Sequence, residues 1–98
     1  MERVYKIKKE KKKDLETLMA KDPYAPISFG RIAPIIKEIE DEIFIYIKSE
    51  EEKVFEFVEN ELKEIEGKRA EPEEENKIID LVHKDEESAA GGFGAIFG

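Results

Sequence analysis

Ile32-Ala33-Pro34-Ile35-Ile36-Lys37-Glu38-Ile39-Glu40-Asp41-Glu42-Ile43-Phe44-Ile45-Tyr46-Ile47 is the stretch whose reading decides the fold. Its second half, Glu42 to Ile47, is apolar at nearly every position, as expected of a central strand covered on both faces. The first half reads two ways. Ile32, Ile35, Ile36 and Ile39 have helical spacing, and Pro34 suits a first helical turn. The wider segment from Ile27 to Ile39, however, is rich in β-branched residues and contains Gly30, expected as a turn or bulge glycine. We read a β-hairpin through Glu40-Asp41, with Pro34 at an edge or a bulge.

Upstream, Val4-Tyr5-Lys6-Ile7-Lys8 alternates as a strand with one mostly polar face. Asp14 is expected to cap a short helix with Leu15, Leu18 and Met19 on one side. Asp22-Pro23-Tyr24-Ala25-Pro26 stops it, because prolines and the residues before them resist helix.

Downstream, Ser49-Glu50-Glu51-Glu52 has the spacing of a capping box. Val54, Phe55, Val58, Leu62 and Ile65 then form one apolar stripe, and Gly67 is a natural C-cap. Phe57 lies off the stripe and reads as a widening of the core face. Lys68-Arg69-Ala70-Glu71 is a candidate short strand. Pro72 opens a segment with acid in its first turn and His83-Lys84 at its end, the charge order that suits a helix dipole. A final strand over Ile78 to His83 competes with that helix.

The resulting order, β-α-β-β-α followed by a further helix or strand, fits an α+β fold, a small two-layer sandwich that includes the ferredoxin-like type. At 98 residues the chain makes one domain, expected over 1–84, with a flexible acidic and glycine-rich tail over 85–98. No cysteine is present, which removes disulfides, thiolate metal sites and a cysteine nucleophile. Asp, Glu, Lys and Arg make up 43% of the chain, and Gln and Trp are absent, a composition that points to a thermophilic source. No apolar run reaches membrane-spanning length and no signal peptide is evident, so the expected location is cytoplasmic.

Charge is unevenly spread over a net −8. Basic residues crowd the start, where Lys8, Lys9, Lys11, Lys12 and Lys13 are candidate contacts to RNA or an acidic partner. The plainer expectation is a solvated face, or one paired with acidic surface of its own fold.

Catalytic signals are thin. His83 is the single histidine and reads as a surface residue. Ser28, Ser49 and Ser88 have no nucleophile-elbow context, and Phe29-Gly30-Arg31 is no phosphate loop. The acidic clusters around Glu38–Glu42, Glu50–Glu52 and Glu73–Glu75 lack the spacing of an organised cation loop. Arg31 and Arg69 read as surface ion-pair residues. We therefore expect no enzymatic activity, no cofactor and no metal.

The last seven residues, Gly92-Phe93-Gly94-Ala95-Ile96-Phe97-Gly98, place three large apolar side chains after an acidic, small-residue lead. In a helix, Phe93, Ile96 and Phe97 share one face, the arrangement of a short segment that docks in a hydrophobic groove. Packing on its own domain, or insertion into a second copy, are competing expectations. Residues 86–98 resemble the C-terminus of archaeal ribosomal stalk proteins, which end in an acidic tract, Gly, a large apolar residue, two small residues, another large apolar residue, Phe and Gly. Phe93 stands where leucine is more usual, and the stalk family's dimerisation domain and Ala-rich hinge are missing. The resemblance implies that Phe93, Ile96 and Phe97 anchor a protein partner, a translational GTPase in that family. Residues 1–84 resemble no family. The expectation is a small interaction protein, with an RNA-associated module as the alternative.

Overall fold

The computed structural model describes residues 1–22 and 24–86 in full and the backbone of the last helix as far as Phe97. Four strands form one sheet: β1 (Glu2–Lys8), β2 (Ile35–Ile39), β3 (Glu42–Lys48) and β4 (Lys68–Arg69). Their spatial order is β2-β3-β1-β4, and every pairing is antiparallel. Helices α1 (Lys12–Ala20), α2 (Phe29–Ile32), α3 (Glu52–Lys63) and α4 (Pro72–Phe97) complete the chain. The fold is α+β. Up to β4 it has the connectivity and strand order of a ferredoxin-like sandwich. The expected further element is a helix, and it adds a third layer on the opposite face of the sheet.

The decisive stretch does form a hairpin. β2 and β3 pair from Ile35↔Tyr46 to Ile39↔Glu42, and Glu40 takes the positive φ (54°) that a two-residue hairpin loop demands. β3 is central, and Ile43 to Ile47 are all buried. Pro34 precedes β2, which is an edge strand.

Local chemistry corrects the reading of the residues before it. Ser28 accepts a hydrogen bond from the Arg31 N–H (3.3 Å) and so caps α2, which ends at Ala33 in the left-handed region (φ 53°). Gly30 is therefore a helical residue, not a turn or bulge. Likewise Asp14 is not a cap. The chain enters α1 through a single 3-10 turn (Lys9–Lys11), and Asp14 sits in the first helical turn, where its charge suits the dipole.

Alternation along β1 divides the core in two. Tyr5 and Ile7 face inward with Ile43, Ile45 and Ile47, and are covered by Leu15, Leu18, Phe29 and the α3 stripe Val54, Phe55, Val58, Leu62 and Ile65. Phe57 is half-buried against this cluster, its ring 5.4 Å from that of Phe29, so the face is widened as expected. Val4, Phe44, Tyr46 and Ala70 face the other way and are covered by Ile78 and Val82 of α4. The i, i+4 spacing of Ile78 and Val82 serves a helix, which excludes the alternative strand over 78–83. His83 and Lys84 consequently do not lie in a last turn, because α4 runs past them.

Both ends of α3 depart from expectation. Ser49 accepts the Glu51 N–H (3.1 Å) in a tight turn, and the helix starts only at Glu52, so no capping box forms. At the far end the Gly67 N–H reaches the Leu62 carbonyl (2.7 Å) and the Glu66 N–H the Lys63 carbonyl (3.2 Å). This is a Schellman closure in which Glu66, not the glycine, is left-handed (φ 61°). Gly67 is needed for space: a Cβ there would lie 2.8 Å from Leu62 Cβ and 3.0 Å from Ile7 Cγ2.

Candidate functional site

The side chains of Phe93, Ile96 and Phe97, the expected partner anchors, lie outside what is described, as do all those from 87 onward. The site that the described residues build is the charged seam between α4 and the outer face of the sheet.

Strand register sets what that face carries. Val4, Lys6 and Lys8 alternate with inward residues on β1, and Phe44, Tyr46 and Lys48 do so on β3. Ile35, Lys37 and Ile39 of β2 pair with Tyr46, Phe44 and Glu42, and Lys68 of β4 pairs with Lys6, so these side chains share the same face. Five lysines thus surround two aromatic rings, against Glu2 and Glu42. The helix above is acidic: from Pro72 to Glu86 it carries Glu73, Glu74, Glu75, Asp80, Asp85 and Glu86 against Lys77 and Lys84.

Carboxylates of α4 meet this face at several points. Lys6 donates to Glu74 (2.7 Å), lies 3.7 Å from Glu42, and has its side chain only 11% exposed. That contact holds the Glu74 carboxyl below the usual carboxylate range and raises the Lys6 ammonium. Glu75 receives two bonds from Arg69 (2.9 and 3.0 Å) and one from the Val4 N–H (3.0 Å). The Arg69 fork is the larger reason that the Glu75 carboxyl is lowered. Lys37 pairs with Asp85. Glu2 accepts from the Tyr46 hydroxyl and lies 2.6 Å from His83 Nε2, and its carboxyl is lowered chiefly by the Tyr46 bond. Burial, then the Glu2 contact, pushes the Tyr46 hydroxyl up.

A second polar cluster ties β1 to α3. Arg3 bonds Glu59 (3.1 Å) and Glu52 (3.2 Å), lies 4.5 Å over the Phe55 ring, and neighbours the Tyr5 hydroxyl, which donates to Glu59 (2.7 Å). Every one of these groups is engaged within the fold, and the arrangement is structural.

The expected basic segment is dispersed. Lys8 ends β1, Lys9 and Lys11 lie in the 3-10 turn, and Lys12 and Lys13 begin α1. Lys12 pairs with Glu38 (3.0 Å) and Lys11 with Glu66 (3.9 Å). Lys8, Lys9 and Lys13 are exposed and form no ion pair among the described residues.

No catalytic constellation comes together among the described residues. His83 pairs with a carboxylate on the surface, Ser28 is a buried cap and Ser49 closes a turn, while Ser88 lies outside them. No group of three or more metal-ligating side chains converges among them. Arg69 forms its expected ion pair, with Glu75.

The outer-face lysines Lys6, Lys37, Lys48 and Lys68 and the rings of Phe44 and Tyr46 were not legible as one set. Period-two alternation flags Lys6 beside Val4 and Lys48 beside Tyr46, but Lys37 and Lys68 join only through cross-strand register. Among the described residues no helix is long and apolar enough to cross a membrane. No protein-family model, no curated protein and no solved structure matches this chain.

Proposed function

We propose that this is a small non-enzymatic interaction protein, in which a compact domain presents the apolar residues Phe93, Ile96 and Phe97 to a protein partner. The observation that carries this reading is the spacing of Phe93, Ile96 and Phe97, which a helix places on one face, after an acidic, small-residue lead. Val4, Phe44 and Tyr46 are at most 5% exposed on the outer face, and among the described residues of α4 Ile78 and Val82 bury there. Three large apolar side chains after an acidic lead favour a groove on another molecule. The stalk-like ending supports a translational GTPase as that partner. With the charged composition, it supports the cytoplasm of a thermophilic archaeon as the setting.

Deletion of residues 88–98 tests the reading. Capture of purified elongation-factor GTPase is expected to disappear while the melting temperature of the domain stays within about 2 °C. Undiminished capture would sink the reading. A large fall in melting temperature would instead assign the segment to the domain's own core.

A further inference from the structure

The outer face of the sheet combines features that protein cores do not need. Core burial explains the aromatic rings of Phe44 and Tyr46, but not a ring of lysines around them. Lys8, Lys48 and Lys68 form no ion pair among the described residues, and Lys6 and Lys37 find carboxylates mainly on α4. Cations around two aromatic rings on the central strand of an antiparallel sheet make a platform for single-stranded nucleic acid: rings stack on bases, and ammonium groups follow the phosphates.

The cover over this platform is itself polyanionic. Glu74 and Asp85 occupy the ammonium groups of Lys6 and Lys37, as phosphates would. Among its described residues the apolar hold rests on few side chains: Ile78 and Val82 are buried, Ile79 partly, and Leu81 stays 40% exposed. A groove of about 260 Å³ opens between α4 and the β2–β3 hairpin, with Phe44, Ile39, Ile78 and Leu81 among its walls.

From this geometry we infer that the outer sheet face is a binding site for single-stranded nucleic acid, and that α4 is its autoinhibitory cover, displaced when the polyanion takes over the lysines. The inference goes beyond the proposed partner docking and does not depend on the apolar tail.

The test is fluorescence anisotropy of the full chain with a labelled 12-nucleotide unstructured RNA, a DNA of the same sequence and a glutamate 12-mer peptide. Loosening α4 with Ile78→Ala and Val82→Ala raises the open fraction, so RNA affinity is expected to rise by at least about tenfold. Adding Lys37→Gln, Lys48→Gln and Lys68→Gln should abolish that gain and flatten the salt dependence. Equal RNA affinity in all three proteins overturns the inference, as does peptide binding as tight as RNA binding. Binding of both RNA and DNA supports it, and so does preference for RNA, which adds a contact to the 2′-hydroxyl. Should the loosened variant not fold, the unmodified chain decides by NMR titration with the same RNA. Shifts of the Phe44 and Tyr46 ring protons, with loss of α4 amide protection, are expected. Shifts confined to the α1–α3 side overturn the proposal.

Discussion

On the inner face of the sheet, Phe55, Val58 and Leu62 are at most 1% exposed and meet a continuous apolar surface from β1 and β3. On the outer face, the described residues of α4 contribute two buried apolar side chains and hold on otherwise through Glu74, Glu75, Asp85 and His83. The contrast separates what makes the fold from what closes it. Apolar burial is insensitive to salt and pH, whereas contacts through partly exposed carboxylates are weak and screened. The inner layer is therefore expected to dominate global stability, and the α4 layer to be the more sensitive to salt and pH.

The strongest challenge to that division is Phe55→Ala. It is expected to cost about 3–5 kcal/mol and to shift the whole denaturant transition, as read by circular dichroism. A transition moved by less than about 1 kcal/mol would mean the inner face is not the principal core.

Ile78→Ala should cost about 2–4 kcal/mol, appearing first as faster hydrogen exchange in α4 with the β1 and β3 amides still protected. Simultaneous loss of protection in the strands would show that both faces are one cooperative unit.

Glu75→Gln removes the charge from the fork with Arg69 and weakens the bond from Val4, for an expected loss of about 1–2 kcal/mol. Glu75→Gln measured together with Arg69→Ala in a double-mutant cycle isolates the pair, and a coupling near zero would remove it from the seam.

The smallest expected effect is that of acid. Glu2, Glu74 and Glu75 have carboxyls lowered in the folded chain, so their contribution is complete above the usual carboxylate range and fades as pH falls through the lowered values. Protection of the α4 amides should therefore decline below roughly pH 4, before that of β3. Simultaneous decline in both would argue against a seam held by charge.

The course of the chain was largely legible where one periodicity dominates. β1, the β2–β3 hairpin and the α3 stripe follow from alternation or from helical spacing, and Pro72 with its acids marks the start of α4. The misreadings share a cause: a local signal was outvoted by contacts distant in sequence. Ser49 looks like a helix cap, but its N–H bonds the Met1 carbonyl (3.0 Å), which keeps it at the margin of the sheet and moves the cap of α3 on to Glu51. Phe29 lies in a β-branched run, yet its burial beside Phe57 and the cap from Ser28 turn the start of that run, Phe29–Ile32, into a helix. The lysines of the outer face were hidden in another way. Lys8 reads as part of the dense basic run that follows it, although it ends β1 opposite Glu42, on the sheet face that Lys6 shares.

Glu75 has one more effect, on what the molecule avoids. β4 pairs with β1 only at Tyr5 and Lys6, and the Ala70 N–H bonds the Val4 carbonyl, after which that margin of β1 has no strand beside it. The Glu75 carboxylate fills the gap by taking the Val4 N–H. An incoming extended chain would find the donor occupied and a negative charge in its path, so growth of the sheet into fibrils is obstructed at this margin without a longer β4.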